Sequence, residues 1–237
     1  SAIVTISRAP ATITSTPPAS SSAQPEARPR FVRLRSWFAG KSRATTRTLR
    51  YGQRTRVQGV LTDAAGRPVR SAELRVDERS QRAGATSTVR TDAKGRFEFL
   101  LRRGPNRVVE ISYRAAASDP APVAVARLKV RVRAGVTLRT STKRVRNGTA
   151  LRFFGRVLGE RGTRRAIVTI YALSSGRRSR IPVETVRADS RGRYSYTYRF
   201  GSIAGPTVYR FQARVPKQTG FPYLEGASRR VTVRGRP

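Results

Sequence analysis

The chain of 237 residues contains no cysteine, no histidine and no methionine. Without cysteine and histidine it has no thiol nucleophile, imidazole base, disulfide or zinc finger. Acidic residues are also few, because 13 Asp and Glu stand against 50 Lys and Arg. Paired-carboxylate sites and cages for hard metal ions therefore have few possible ligands. These absences predict a protein that is not an enzyme and that has no catalytic residue, no cofactor and no metal.

Long apolar runs are missing as well, since no segment approaches the ~18–20 residues that cross a membrane as a helix. We therefore expect no transmembrane segment. Loss of a start methionine before a small first residue would explain the absence of methionine, and so would removal of a signal peptide. We expect signal-peptide removal and an extracellular or cell-surface location.

An internal repeat is the main positive feature of the sequence. Gly59 and Gly155 occupy matching places in two apolar segments and lie 96 residues apart. Residues 89–99 and 186–196 match each other, and their glycines lie 97 residues apart. Each half then ends in an alternating segment of apolar and basic residues. Features that recur in order at a nearly fixed offset indicate two copies of one structural unit.

Alternation of apolar and polar residues dominates both halves and is typical of half-buried β-strands. About seven short strands in about 95 residues is the pattern of an immunoglobulin-like sandwich. The sequence therefore predicts an all-β fold with two tandem immunoglobulin-like β-sandwiches, preceded by an N-terminal strand and an extended linker. The predicted divisions are 1–45 for the N-terminal segment, 46–134 for the first domain and 135–237 for the second.

The turn Asp-x-x-Gly-Arg occurs three times, at residues 63–67, 92–96 and 189–193. Asp at the first turn position accepts backbone N–H bonds, and Gly supplies the positive φ that closes a tight hairpin. Calcium binding is the alternative interpretation, but a calcium loop needs several closely spaced oxygen ligands. Each turn here has one carboxylate beside arginines, so the pattern favours structural hairpins.

A family resemblance rests on the same turns. The segment Gly-Val-Leu-Thr-Asp-Ala-Ala-Gly-Arg-Pro-Val at 59–69, followed by Thr-Asp-Ala-Lys-Gly-Arg-Phe at 91–97, resembles carboxypeptidase-regulatory-like and bacterial immunoglobulin-like repeats of secreted surface proteins. The similarity is to versions common in high-GC Gram-positive bacteria and covers both halves. It implies an immunoglobulin-like fold and a role as spacer, adhesin stalk or binding domain. No catalytic residue comes with it.

Residues 1–45 belong to neither repeat. They begin with β-prone segments, and a Pro-, Ser- and Ala-rich stretch at 15–30 is typical of an extended linker. A strand on such a linker can add to an open sheet edge of its own domain or of a neighbouring copy. Head-to-tail addition between copies propagates into a fibre. The predicted assembly strand comprises Ala2, Ile3, Val4, Ile6 and Ile13.

Residues 31–38 interleave arginine with aromatic side chains and include the single tryptophan. Such a segment can stack on bases or lie on an anionic lipid surface. The interpretation we favour is structural: Leu34, Trp37 and Phe38 close one end of a sandwich or a seam between subunits.

The formal net charge of +37 is concentrated in the second half, which has 23 basic and 4 acidic residues against 20 and 8 in the first. Guanidinium groups suit phosphate and carboxylate, so a polyanionic partner is expected: wall polymer, acidic polysaccharide, extracellular DNA or anionic lipid. A merely solvated basic surface and an intracellular nucleic-acid role are the alternatives, although no recognition helix or RNA-binding signature is present. The candidate anion-binding residues are Lys143, Arg144, Arg146, Arg164, Arg165, Arg177, Arg178, Arg180, Arg229 and Arg230.

Together these features predict a non-enzymatic extracellular structural protein. Its expected role is the subunit of a pilus-like surface filament or layer, a homopolymer assembled by N-terminal strand donation. The alternative is a secreted cationic module that binds a polyanion.

Removal of residues 1–14 tests strand donation. We expect the full chain to form filaments in electron micrographs and the truncated chain to form few or none, because the donated strand is gone. Filaments of undiminished length from the truncated chain would contradict strand donation.

Overall fold

The computed structural model describes residues 29, 31–40, 42–81, 83–159, 165–173 and 179–237. Within these ranges the chain forms eighteen β-strands and no helix. The described part of the chain contains no helix that could cross a membrane. The first eight strands are β1 (Val32–Phe38), β2 (Thr46–Leu49), β3 (Thr55–Asp63), β4 (Glu73–Ser80), β5 (Gly84–Arg90), β6 (Arg96–Leu101), β7 (Arg107–Tyr113) and β8 (Ala124–Val132).

These eight strands form one sandwich of two sheets. One sheet has the order β1-β3-β6 and the other the order β2-β8-β7-β4-β5. Neighbours pair antiparallel except β2 and β8, which run parallel. A first strand that pairs in one sheet and continues as a short parallel strand in the other is an immunoglobulin-like arrangement.

The second half repeats this topology. Its sheets have the orders β10-β12-β15 and β11-β18-β16-β13-β14, with β9 beside β12 and β17 beside β16. The short strand β11 again pairs parallel, with β18. The fold is therefore two tandem immunoglobulin-like β-sandwiches, as the sequence predicts. The strands are β9 (Gly135–Val136), β10 (Arg139–Thr140), β11 (Arg144–Val145), β12 (Ala150–Leu158), β13 (Ile167–Leu173), β14 (Arg180–Arg187), β15 (Arg193–Arg199), β16 (Thr207–Val215), β17 (Gly226–Ala227) and β18 (Val231–Gly235).

Strand β1 corrects the predicted start of the first domain at residue 46. Its residues pair in continuous register with β3, from Val32 opposite Asp63 to Phe38 opposite Val57. Phe38 is buried in the core and Leu34 packs against it, whereas Trp37 is only half-buried. Residues 32–38 therefore form a strand of the sandwich, and Leu34 and Phe38 contribute to its core as members of that strand. The first sandwich begins with this strand because its alternating residues supply one apolar side to the core.

The Asp-x-x-Gly-Arg turns are hairpins closed by the aspartate. In the second of them the Asp92 carboxylate accepts the backbone N–H groups of Lys94 and Arg96, both at 2.8 Å. Gly95 has a φ of +67°, in the left-handed region that favours glycine. The turns at 63–67 and 189–193 use the same aspartate-to-backbone bonds. The three carboxylates therefore accept backbone N–H groups and stabilise the tight turns.

Each sandwich has an apolar interior built from the inward residues of both sheets. The alternation along each strand places these residues on one side and polar residues on the other. Fully buried side chains include Val57, Leu61, Leu74, Val76, Ile111 and Leu128 in the first sandwich, and Leu151, Phe153, Val168, Ile170, Ala213 and Val233 in the second.

A glycine in the middle strand of the smaller sheet of each sandwich lies under an aromatic ring. Gly59 of β3 is opposite Phe97 of β6, and Gly155 of β12 is opposite Tyr194 of β15. A Cβ atom at either glycine would overlap that ring and a main-chain carbonyl oxygen of the adjacent first strand. The two glycines, 96 residues apart, therefore make the same packing contact with an aromatic ring in both sandwiches.

Contacts between the two sandwiches surround the short connection from β8 to β9. The N–H of Leu224 donates to the carbonyl oxygen of Val132 at 2.8 Å, and the Asn106 N–H donates to the carbonyl oxygen of Pro222 at 2.9 Å. The rings of Tyr51 and Tyr223 meet edge to face, with centroids 5.8 Å apart. Hydrogen bonds and an aromatic contact thus hold the second sandwich against the first.

Replacing either central glycine should destabilise its sandwich. We expect Gly59→Ala and Gly155→Ala each to lower the free energy of unfolding by about 1–3 kcal/mol, because the added methyl overpacks the core. Chemical denaturation measures this. Gly201→Ala is the matched control, since a Cβ there meets nothing within 4 Å. Equal stability of Gly155→Ala and Gly201→Ala would contradict the packing contact.

Candidate anion-binding face

The outward side of the sheet β10-β12-β15 carries arginines in the second sandwich. Along β12, Leu151, Phe153 and Val157 are buried, so the residues between them, Arg152 and Arg156, are exposed. The core side of the strand thereby dictates which residues face solvent. The exposed side is basic as a direct result of the alternation.

Pairing among β10, β12 and β15, together with the contact of β14 with β15, brings arginines from four strands to one groove with a volume of about 860 Å³. Arg139 of β10 is opposite Phe154 of β12, and Arg156 of β12 is opposite Arg193 of β15. Paired strands lie about 4.8 Å apart, so these side chains rise from closely spaced backbone positions. We call the five arginines that line the groove the arginine face: Arg139, Arg152, Arg156, Arg187 and Arg193.

Asp189 is the one carboxylate that lines this groove among the described residues, and it is already engaged. It accepts the backbone N–H groups of Arg191 and Arg193 at 2.8 Å and the Arg193 Nε at 2.9 Å. The N–H of Arg193, the Arg193 side chain and the N–H of Arg191 hold the pKa of Asp189 below its usual value. Asp189 thus stays ionised and offsets the charge of Arg193.

The other four arginines form no ion pair with a carboxylate within the described ranges. Arg152 lies over the Phe154 ring, with its guanidinium carbon 5.9 Å from the ring centroid. Arg156 donates to the carbonyl oxygen of Arg191 at 3.2 Å. These contacts hold two of the side chains in place without neutralising them. The face therefore presents fixed, uncompensated positive charge.

Tyr194 anchors the segment that precedes Arg139. Its ring covers Gly155, and its hydroxyl donates a hydrogen bond to the carbonyl oxygen of Thr137. Burial raises the pKa of this phenol above its usual value, so the hydroxyl remains a donor at all physiological pH values. This bond ties the first strand segment of the sandwich to β12 and β15.

The first sandwich has an equivalent groove with a volume of about 770 Å³, but its charges are balanced differently. Glu98 occupies the place that Ser195 has in the second sandwich. It accepts hydrogen bonds from Gln58 at 2.6 Å and from Arg56 at 2.8 Å, and these bonds lower the pKa of Glu98. With Asp92 also lining this groove, two carboxylates face its arginines. Four arginines and two carboxylates thus line the first groove, against five arginines and one carboxylate in the second, so the excess of positive charge is larger in the second sandwich.

Some of the predicted anion-binding residues meet in a separate, smaller hollow of about 400 Å³. Because β11 pairs parallel with β18, Arg144 and Arg146 lie beside Arg234 and Arg236. Lys143 contributes its carbonyl oxygen, which accepts the N–H of Arg234 at 2.8 Å. This hollow is a second basic site, distinct from the arginine face.

The remaining predicted residues do not join either site. Arg165 precedes β13, Arg180 begins β14, and Arg229 and Arg230 precede β18. Arg164, Arg177 and Arg178 lie outside the described residues, and so do all five residues of the predicted assembly strand, Ala2, Ile3, Val4, Ile6 and Ile13. Strand donation therefore stays a prediction.

The sequence does not predict the arginine face, because the basic clusters visible in it are runs of neighbouring residues, several of them on predicted loops. None of the five arginines is adjacent to another in sequence, and they meet only through strand register. The available signal was the spacing of Arg152 and Arg156 around two phenylalanines and Gly155. In a β-strand whose phenylalanine at position 153 faces the core, this spacing places both arginines on the outward side.

No family model matches the chain, and no curated protein matches it. Among solved structures, the adhesin InvE of Yersinia pseudotuberculosis is similar at 13% identity over 85% of this chain and 58% of that chain, with a TM-score of 0.37. A tetra-tandem repeat from the extending region of a large adhesion protein matches at 12% identity over 86% of this chain and 49% of that one, with a TM-score of 0.39.

Trypsin-activated α-2-macroglobulin from Escherichia coli matches at 12% identity over 86% of this chain and 16% of that chain, with a TM-score of 0.34. The chain thus spans about half the length of the two adhesin structures. With TM-scores below 0.5, these matches assign neither a family nor a function. The resemblance to secreted surface repeats, and their high-GC Gram-positive origin, remain predictions.

Asp189 predicts a pH dependence of stability. Its pKa is lowered in the folded protein, so its contribution is present above the unfolded pKa of about 4 and is lost as the pH falls through the folded pKa. We expect Asp189→Asn to have a lower Tm than the wild type at pH 6, and the difference in Tm to shrink as the pH is lowered below about 4. Glu225→Gln removes the same charge from ion pairs of 3.9 and 4.0 Å and serves as control. A pH-independent difference for Asp189→Asn would contradict the prediction.

Proposed function

We propose that this chain is a non-enzymatic extracellular structural protein whose second sandwich binds an anionic polymer through the arginine face. The observation that carries the proposal is a groove lined by three arginines of the sheet β10-β12-β15 and by Arg187 at the end of β14, none of which has a carboxylate partner among the described residues. The equivalent sheet of the first sandwich serves as an internal comparison, since Glu98 and Asp92 offset its charge.

The geometry suits repeated anionic groups. Guanidinium forks bind phosphate and carboxylate oxygens through two parallel hydrogen bonds. Side chains fixed on strands lose less conformational freedom on binding than side chains on loops. The half-buried Phe154 in the centre of the groove adds an apolar surface for the polymer backbone. A chain of phosphates or uronic acids would satisfy charges that the protein leaves unpaired.

Self-association into a homopolymer by N-terminal strand donation is the second candidate function. The favouring observation is strand β5, which ends its sheet and has no charged residue between Gly84 and Val89. Uncharged edge strands are templates for pairing with another chain. The two functions are compatible, because bound polyanion would screen the repulsion between copies that each carry +37.

Two triple variants test the anion-binding function. Arg139, Arg156 and Arg187 are changed to Gln in the first, and Arg33, Arg35 and Arg96 of the first sandwich are changed to Gln in the control. Both variants lose three positive charges, so general electrostatic attraction falls equally. Binding affinity is measured by fluorescence titration with long-chain polyphosphate as the phosphate polymer and with a polyuronate as the carboxylate polymer. Each titration is repeated at several salt concentrations.

We expect the arginine-face variant to bind at least about tenfold more weakly, and its slope of log affinity against log salt to fall by about 2–3. The control variant should retain affinity within about threefold, since it loses only long-range attraction. Equal losses in both variants would contradict a localised site. Salt-independent binding by the wild type would contradict the anion-binding function altogether.

A further inference from the structure

The sheet edges of the two sandwiches differ in how they are protected. Natural edge strands avoid pairing with other chains by being short or by carrying charges or proline. Strand β14 has Pro182 and Glu184 within it, β1 has Arg33 and Arg35, and β6 has Glu98. The edge strands β2, β10 and β11 have only four, two and two residues. Most edges are therefore protected.

Strand β5 lacks these protections along its first six residues. It is seven residues long, and six consecutive residues, Gly-Ala-Thr-Ser-Thr-Val at 84–89, have no charge and no proline. All of its residues except the half-buried Val89 are exposed, so nothing among the described residues covers this strand. Its side chains are small, which leaves room for an added strand on that side of the sheet.

The hairpin that joins β4 and β5 defines which backbone groups of β5 are free. It is closed by the bond from the Ser80 N–H to the Ala83 carbonyl oxygen at 3.0 Å. Hydrogen-bonded and non-hydrogen-bonded pairs alternate along an antiparallel ladder. Given the register of β4 and β5, Gly84, Thr86 and Thr88 belong to non-hydrogen-bonded pairs. Their N–H and C=O groups therefore point away from β4, toward the free edge.

We propose that this free edge of β5 accepts residues 1–7 of a second copy of the chain as an additional strand. The inference rests on the proposed self-association and names its acceptor. Residues 1–7, Ser-Ala-Ile-Val-Thr-Ile-Ser, have no charged side chain and are β-prone. An uncharged donor on an uncharged edge places the contact where repulsion between two chains of +37 is weakest.

The length of chain before β1 is sufficient for this contact. Residues 8–31 separate the donor segment from β1 and, at about 3.3 Å per extended residue, can span up to about 80 Å. That is more than the width of one sandwich, so the donor can reach an adjacent copy. Each copy then has one donor and one acceptor, and this heterologous contact propagates.

Strand β15 is the competing acceptor, since its five central residues are also uncharged. It is less suitable because Arg193 and Arg199 border this stretch, and three of its seven residues are bulky tyrosines. The bond from the Val157 N–H to the Gly192 carbonyl oxygen defines the ladder of β12 and β15. By the same alternation, Thr197 of β15 directs its N–H to the free edge, as Thr88 does in β5.

Proline substitutions in the full chain test the acceptor. Thr88→Pro removes one free N–H from the edge of β5 and keeps the bonds to β4, and Thr197→Pro does the same for β15. Sedimentation velocity in about 0.5 M salt, which screens the charge, measures assembly. We expect the concentration for half-assembly to rise at least about tenfold in Thr88→Pro and to stay unchanged in Thr197→Pro.

The outcomes separate the acceptor from the assembly itself. A wild-type chain that stays monomeric at all concentrations would overturn both self-association and its acceptor. Assembly that survives Thr88→Pro but is lost in Thr197→Pro would place the donor on β15 and overturn the β5 site alone. Assembly that survives both substitutions yet is lost on removal of residues 1–14 would also overturn the β5 site.

A second measurement needs no substitution in the folded protein. A synthetic peptide of residues 1–14 with a photo-crosslinker in place of Ile3 is added to the full chain, and crosslinked residues are mapped. We expect crosslinks at residues 84–90. The unmodified peptide should compete with the photo-crosslinking peptide, whereas a peptide N-methylated at alternate residues should not, because it cannot form the backbone hydrogen bonds of a β-ladder. Crosslinks confined to other segments would overturn the β5 acceptor.

Discussion

The contact between a glycine and an aromatic ring in the smaller sheet of each sandwich sets the arrangement on which the candidate site depends. Gly155 lies under Tyr194, and no other residue fits because a Cβ would overlap both the ring and a neighbouring carbonyl oxygen. This close approach fixes the register of β12 against β15. Once the register is fixed, Arg156 and Arg193 lie opposite each other on the outer side. The core thereby determines the position of charges that take no part in the core.

The same scaffold carries two different outer surfaces. In the first sandwich Gln58 and Arg56 hold the Glu98 carboxylate, so charges are offset within the sheet. In the second sandwich Phe154 and Ser195 occupy the places of Gln58 and Glu98, and the arginines around them keep their full charge. Replacing polar and acidic side chains on an exposed face costs little stability. A repeated fold can therefore acquire a binding surface in one copy while its interior stays unchanged.

Sequence predicted those parts of the structure that depend on local chemistry. The three aspartate turns follow from Asp and Gly at fixed spacing, and most strands follow from alternation. The first strand was placed outside the sandwich because aromatic and basic residues obscured the alternation of Leu34, Ser36 and Phe38. The arginine face was missed for a different reason. Its members are brought together by pairing between strands distant in sequence, and register is set by packing rather than by any local pattern.

Uncompensated charge on a rigid sheet is the central physical claim, and NMR of the arginine Nε–Hε groups tests it most directly. On titration with polyphosphate, the account predicts that signals of Arg139, Arg152 and Arg156 shift first and saturate together. Signals of Arg35 and Arg96, on the equivalent face of the first sandwich, should shift weakly and only at higher ligand concentrations. Shifts spread uniformly over both sandwiches, or confined to the hollow around Arg144 and Arg234, would contradict the account.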